Sequence, residues 1–84
     1  MPTLFKILDY IIYFWSGDGN EPPHVHIAKG IPRKNDTKVW VGDRIELEHN
    51  KGQIPQKDLV KLLKFIAQNR FFILAAWDKH FGRK

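Results

Sequence analysis

The chain has 84 residues, 43% of them hydrophobic, with no cysteine and a formal net charge of +5; this suits one small core over residues 1–84 and excludes disulfides, thiolate metal sites and cysteine nucleophiles. Up to residue 50, six Lys and Arg face seven Asp and Glu, and after it eight face two, so any attraction for a polyanion such as RNA belongs to the C-terminal part. The longest apolar run, FFILAAW at 71–77, falls far short of the roughly 20 residues a membrane span needs, and the first residues carry neither a basic leader nor a small-residue cleavage site, so a cytoplasmic protein with no membrane role is expected.

Residues 4–8 and 10–15 are short runs of aromatic and β-branched side chains, predicted as two strands joined tightly near Asp9. The second, YIIYFW, is apolar on both faces and is expected to be central or covered on its far side. SGDGNEPP at 16–23 is a loop, because glycine freedom alternates with proline rigidity. HVHIAK at 24–29 alternates, with Val25 and Ile27 on one face and His24, His26 and Ala28 on the other, and is a third strand. A turn with a basic tip at Arg33 and Lys34 leads to a fourth strand at 37–41. RIELE at 44–48 makes a fifth candidate, with Ile45 and Leu47 inward.

HNKGQ at 49–53 reads as a flexible link. Pro55 suits a helix start, Asp58 opposes the positive helix end, and Ile54 can staple onto Leu59. Leu59, Leu62, Leu63 and Ile66 then form an apolar stripe, with Lys57, Lys61 and Lys64 opposite. Continuing that helix would bring Arg70 onto the stripe, so a break is predicted near 68–70. A second helix follows over about 71–81, stopped by Gly82. Its first residues are apolar all round, which predicts burial or a partner. Strands first and helices last give an α+β fold: a four- or five-stranded antiparallel sheet with two C-terminal helices on one face.

The residues that carry chemistry are the two histidines. In a strand, residues two apart share a face with Cα atoms about 6.6 Å apart, so both imidazoles of His24 and His26 can reach one metal or one phosphate. The stiff Pro22–Pro23 pair limits the entropy lost in holding them. Without cysteine, a divalent metal is the one cofactor the sequence leaves room for. Glu21 is taken with the pair as a third ligand, and Glu46, Glu48, His49 and Asp18 are the other candidates, none fixed by spacing. For RNA cleavage, His24 or His26 with Arg33, Lys34 or His49 would supply acid, base and a phosphorane-stabilising cation. Two histidines on one strand approach from the same side, however, so one of them would bind rather than catalyse. The simplest reading is that one histidine bonds the 18–21 loop and the other meets solvent.

Arg33, Lys34, Lys57, Lys61 and Lys64 are the candidate nucleic-acid contacts, although an amphipathic helix shows a charged outer face in any case. Trp40 and Trp77 are expected in the core more than in base stacking. His80, Arg83 and Lys84 favour the negative end of the last helix. No GxGxxG, P-loop, nucleophile elbow, HExxH or zinc-finger spacing is present.

The strings MPTLF, GNEPPHVHI, KVWV, NKG and NRFFILAAWDKHFG together resemble a family of small bacterial proteins known as domain of unknown function forty-one sixty. EPPHVH is the most specific of them. The resemblance implies no settled activity. It implies one half of a two-gene cassette of the toxin and antitoxin type, and so an RNA-interacting protein with a small protein partner encoded by a neighbouring gene. Two further classes are kept: a metal-dependent hydrolase using His24 and His26, and a non-enzymatic interaction module that forms a homo-oligomer or complex through the apolar last helix.

Overall fold

A computed structural model describes residues 2–82; Met1, Arg83 and Lys84 lie outside the described residues, and with them the expectation for the basic tail. Five strands, β1 (Thr3–Ile7), β2 (Tyr10–Tyr13), β3 (His24–Lys29), β4 (Thr37–Val41) and β5 (Ile45–His49), precede two helices, α1 (Gln56–Gln68) and α2 (Arg70–Phe81). The sheet is antiparallel throughout and meanders in chain order, β1 to β5. This is the α+β architecture expected, with all five strands formed.

Alternation along the strands creates the core. Tyr10, Ile12, Val25, Ile27, Val39 and Val41 point to one face, where Leu59, Leu62 and Ile66 of α1 and Ile73 of α2 cover them. The opposite face carries Tyr13, His26, Lys38 and His49 in one cross-strand row, and His24, Trp40 and Glu46 in the next. Two loops cover part of that second face. The 30–36 loop is held there by the Tyr13 hydroxyl, which donates to Asp36. The 16–23 loop begins with a 3-10 turn at Ser16–Asn20.

The β1–β2 connection is a two-residue turn, with Leu8 at φ 53° and Asp9 at φ 66°. Both lie in the left-handed region that a tight hairpin requires, which Asp9 tolerates and Leu8 disfavours. The link at 49–53 is not the flexible segment expected. Asn50 Oδ1 accepts from Thr37 Oγ1 at 2.6 Å and from Ile54 N–H at 3.0 Å, while Asn50 Nδ2 donates to the Ile54 carbonyl at 3.0 Å. One side-chain amide thus joins the sheet to the start of α1.

The helix break falls at Asn69. Arg70 turns away from the apolar stripe, where its guanidinium donates to the Gly42 carbonyl and lies 3.6 Å from Asp43. Gly82 ends α2 at φ 71°. Two apolar side chains expected at the core or at a partner are exposed in the single chain. Leu47 faces the core side across from Val39 but is 40% exposed on the edge strand β5, and Phe71 is 80% exposed on the outer side of α2, whose Ile73 is buried. Among the described residues no helix is long and apolar enough to cross a membrane.

Candidate metal centre

The far end of α2 closes over the start of β3. Trp77 is fully buried, with its ring 5.2 Å from His24 and 5.0 Å from Phe14. Phe81 packs on Trp77 at 4.5 Å and presses on the backbone of Gly19, where an added Cβ would lie 2.7 Å from the Phe81 ring. His80 Nε2 sits 3.2 Å from Ser16 Oγ. The loop is therefore clamped between the sheet and the helix end, and only glycine fits at position 19 without displacing a ring.

This clamp brings Asp18 onto the histidines. Asp18 Oδ2 accepts a hydrogen bond from His26 Nε2 at 3.0 Å, so one histidine does bond the 18–21 loop; it also lies 3.1 Å from Nε2 of His24, which is buried rather than meeting solvent. These three residues offer ligand atoms all within 4.8 Å of one another. The same carboxylate oxygen accepts the Trp15 backbone N–H at 2.8 Å, which fixes it in place. His24 has no side-chain exposure, whereas Asp18 retains 17% and His26 13%. The group is buried at His24 and narrowly exposed at Asp18 and His26.

The protonation of His24 follows from its neighbours. Its Nδ1 is 2.9 Å from the Pro22 carbonyl, which can only accept, so Nδ1 carries the proton. In a neutral ring, Nε2 is then a bare lone pair. It is buried and makes no hydrogen bond, the carboxylate being near but off the line that a hydrogen bond needs. The bare nitrogen and the carboxylate oxygen 3.1 Å from it are both electron-rich, so a positive charge beside them would stabilise the pair. A second proton or a metal ion meets that need. The carbonyl on Nδ1 is the outer contact that orients metal-bound histidines.

The spacing suits an ion. Ligands about 2.1 Å from a metal and at right angles are about 3.0 Å apart, and tetrahedral ligands about 3.4 Å. Two histidines and one carboxylate on one side of an ion leave the remaining positions to water or substrate. Burial is the first influence on His26 and pushes its imidazole down from the ordinary value, against the pull of Asp18. A neutral imidazole is the form that binds metal.

The other sequence-derived residues lie elsewhere. Glu21 is turned from the histidines onto Lys38, whose ammonium chiefly holds the carboxyl below its usual range. His49 is separated from His26 by Lys38 in the cross-strand row, about 10 Å away at two strand spacings. Burial lowers its imidazole, and the Lys51 N–H donates to its Nδ1 at 3.2 Å. Glu48 accepts from Trp40 Nε1 at 2.9 Å, and Glu46 is exposed on the edge strand. Arg33 and Lys34 are exposed on the 30–36 loop, Arg33 donating its backbone N–H to Asp36 at 2.7 Å. Lys57, Lys61 and Lys64 are exposed on α1, packed against the sheet face opposite His26.

Trp77 is in the core as expected, but Trp40 is not: it stands part-exposed beside His24 on the opposite face, and with it Lys38, which sequence reasoning does not single out. Alternation gives each strand its two faces, but the seven-residue connection hides the β3–β4 register. The dominance of Asp18 among five third-ligand candidates was hidden for a related reason, since it depends on where α2 ends.

Neither a curated protein nor a solved structure matches the chain. One family profile does, described as a domain of unknown function (DUF4160). Matched over residues 9–78 of its 84, the chain belongs to that family.

Proposed function

We propose that this domain is a metal-dependent hydrolase in which Asp18, His24 and His26 hold one divalent ion. The observation that carries the reading is the buried, unbonded Nε2 of His24, with its other nitrogen committed to a carbonyl, set against a carboxylate beside a second imidazole. A divalent ion there would supply Lewis acidity and an acidified water. The chain's own part is to supply three ligands from one strand and one clamped loop, with Asp18 and His26 keeping a small exposed edge while His24 has none. A wholly structural site would instead be closed by a fourth protein ligand, and among the described residues no fourth histidine or carboxylate joins the cluster. The test is hydrolysis of bis(p-nitrophenyl) phosphate by protein loaded with Mn2+ or Zn2+. Turnover that is lost with chelator and in His26→Ala supports the reading; turnover absent from loaded wild type contradicts it.

A second reading, RNA contact within a two-gene cassette, has its own support. Lys57, Lys61 and Lys64 follow one face of α1, are exposed, and among the described residues none forms an ion pair. Three free cations so aligned suit a phosphate backbone. RNA affinity that falls steeply with salt and weakens in the triple Lys→Gln variant supports this reading, and salt-independent or absent binding removes it.

A further inference from the structure

The histidine-bearing face holds a second, different arrangement. In the register of β3 with β4, Lys38 lies directly across from His26 and Trp40 directly across from His24. Cross-strand partners have Cβ atoms about 5 Å apart and point the same way. Lys38 and Trp40 therefore stand against the two histidines.

The Lys38 ammonium is placed by the sheet rather than by its counter-ion. It sits 4.4 Å from the centroid of the Trp40 ring, and that ring is fixed by the hydrogen bond from its Nε1 to Glu48. The Lys38 side chain is only 15% exposed. Glu21, its partner, is 48% exposed and belongs to the covering loop, outside any strand or helix. One member of the pair is fixed and largely buried, and the other can rotate into water. Cutting Lys38 off from every anion would cost free energy, because a desolvated ammonium needs a partner. A ligand anion can take that place when Glu21 swings out.

We propose that Lys38 is the anion subsite beside the metal centre, that it receives a phosphate group of the substrate, and that Glu21 is its displaceable resting counter-ion. The proposal rests on the metal reading above. A phosphate offers several oxygens around one centre, so one can meet the ion while another accepts from Lys38. Lysine is a point-charge phosphate binder that needs no fixed fork geometry. A carboxylate ligand has only two oxygens, already matched by what Glu21 provides, and acetate serves as the contrast.

The experiment is a titration of protein with inorganic phosphate, with 5′-AMP and with acetate, in wild type, Lys38→Met, Lys38→Arg and Glu21→Gln. Binding is read by 31P relaxation with Mn2+ loaded and by calorimetry with and without the metal. Circular dichroism and Mn2+ affinity, both expected to match wild type, show that each variant is folded. Phosphate is expected to bind at least about tenfold more weakly in Lys38→Met, to be largely retained in Lys38→Arg, and to bind more tightly in Glu21→Gln, with acetate weak throughout. Tighter binding of 5′-AMP than of phosphate assigns an ester substrate; equal binding assigns free phosphate, and both support the subsite. Phosphate affinity equal in wild type and Lys38→Met, or weakened by Glu21→Gln, would overturn it, as would no phosphate binding in any arm. Phosphate binding that needs Lys38 in a protein that binds no Mn2+ would overturn the metal reading while keeping the anion subsite.

Discussion

His24 Nε2 and Asp18 Oδ2 face each other at 3.1 Å without a hydrogen bond, in a fully buried ring whose Nδ1 is bonded to the Pro22 carbonyl. A positive charge beside the two atoms would stabilise the contact. The rest of the fold can be seen as the apparatus that holds them there, and it makes separate predictions.

The first concerns the clamp. Gly19 lies against the Phe81 ring so closely that a methyl group would sit 2.7 Å from it. Gly19→Ala should lower stability by about 1–3 kcal/mol, the usual cost of overpacking, and should weaken metal affinity by lifting Asp18. Pairing it with Phe81→Leu should recover part of both. Urea unfolding with a metal titration on each variant checks this; an unchanged Gly19→Ala would show that the loop is not clamped by α2.

Asn50 bridges β4 and the start of α1 through three hydrogen bonds. Asn50→Ala strands the buried Thr37 hydroxyl and the Ile54 backbone, and is expected to cost about 2 kcal/mol. Comparison of denaturation midpoints at constant slope measures it. A loss no larger than that of an exposed control such as Gln68→Ala would contradict the bridge.

The β1–β2 turn should improve on replacement. Leu8 and Asp9 both hold positive φ, so Leu8→Asn with Asp9→Gly supplies the residues the turn conformation favours. A gain of about 1 kcal/mol is expected, seen as a higher melting temperature. A loss would mean that the turn is held by contacts of the Leu8 side chain.

Alkaline pH should expose a further contact. Burial first, and then the hydrogen bond to Asp58 at 2.8 Å, push the Tyr10 phenol up from about 10 to about 12. The folded protein then keeps a proton that the unfolded chain releases over this interval. The resulting stability is complete below pH 10 and is lost as pH rises toward 12. Burial and Asp36 push Tyr13 upward as well, with the same sign. Urea midpoints at pH 9, 10 and 11 should fall less steeply in Tyr10→Phe than in wild type; parallel slopes would contradict the linkage.

Much of the fold was legible because alternation in HVHIAK and TKVWV and the stripe Leu59, Leu62, Leu63, Ile66 are local patterns. The helix break was legible from Arg70 alone, a charge that a continuous helix would bury. Less was legible where distant residues decide. Nothing local says that Asn50 would reach Thr37 and Ile54, so a glycine-containing link looked flexible. The pair His24 and His26 was visible as a shared face, yet its burial under Trp77 and the choice of Asp18 over Glu21 depend on a helix some 50 residues away in sequence.

The central claim, that Asp18, His24 and His26 form one ion site, is tested most directly by calorimetric titration of metal-free protein with Zn2+. Wild type, Asp18→Asn, His26→Ala and His49→Ala would be compared under identical buffer conditions. One ion per chain is expected in wild type and in His49→Ala, with affinity lower by at least about tenfold in the other two. Binding absent from wild type, or equally tight in Asp18→Asn and His26→Ala, would contradict it.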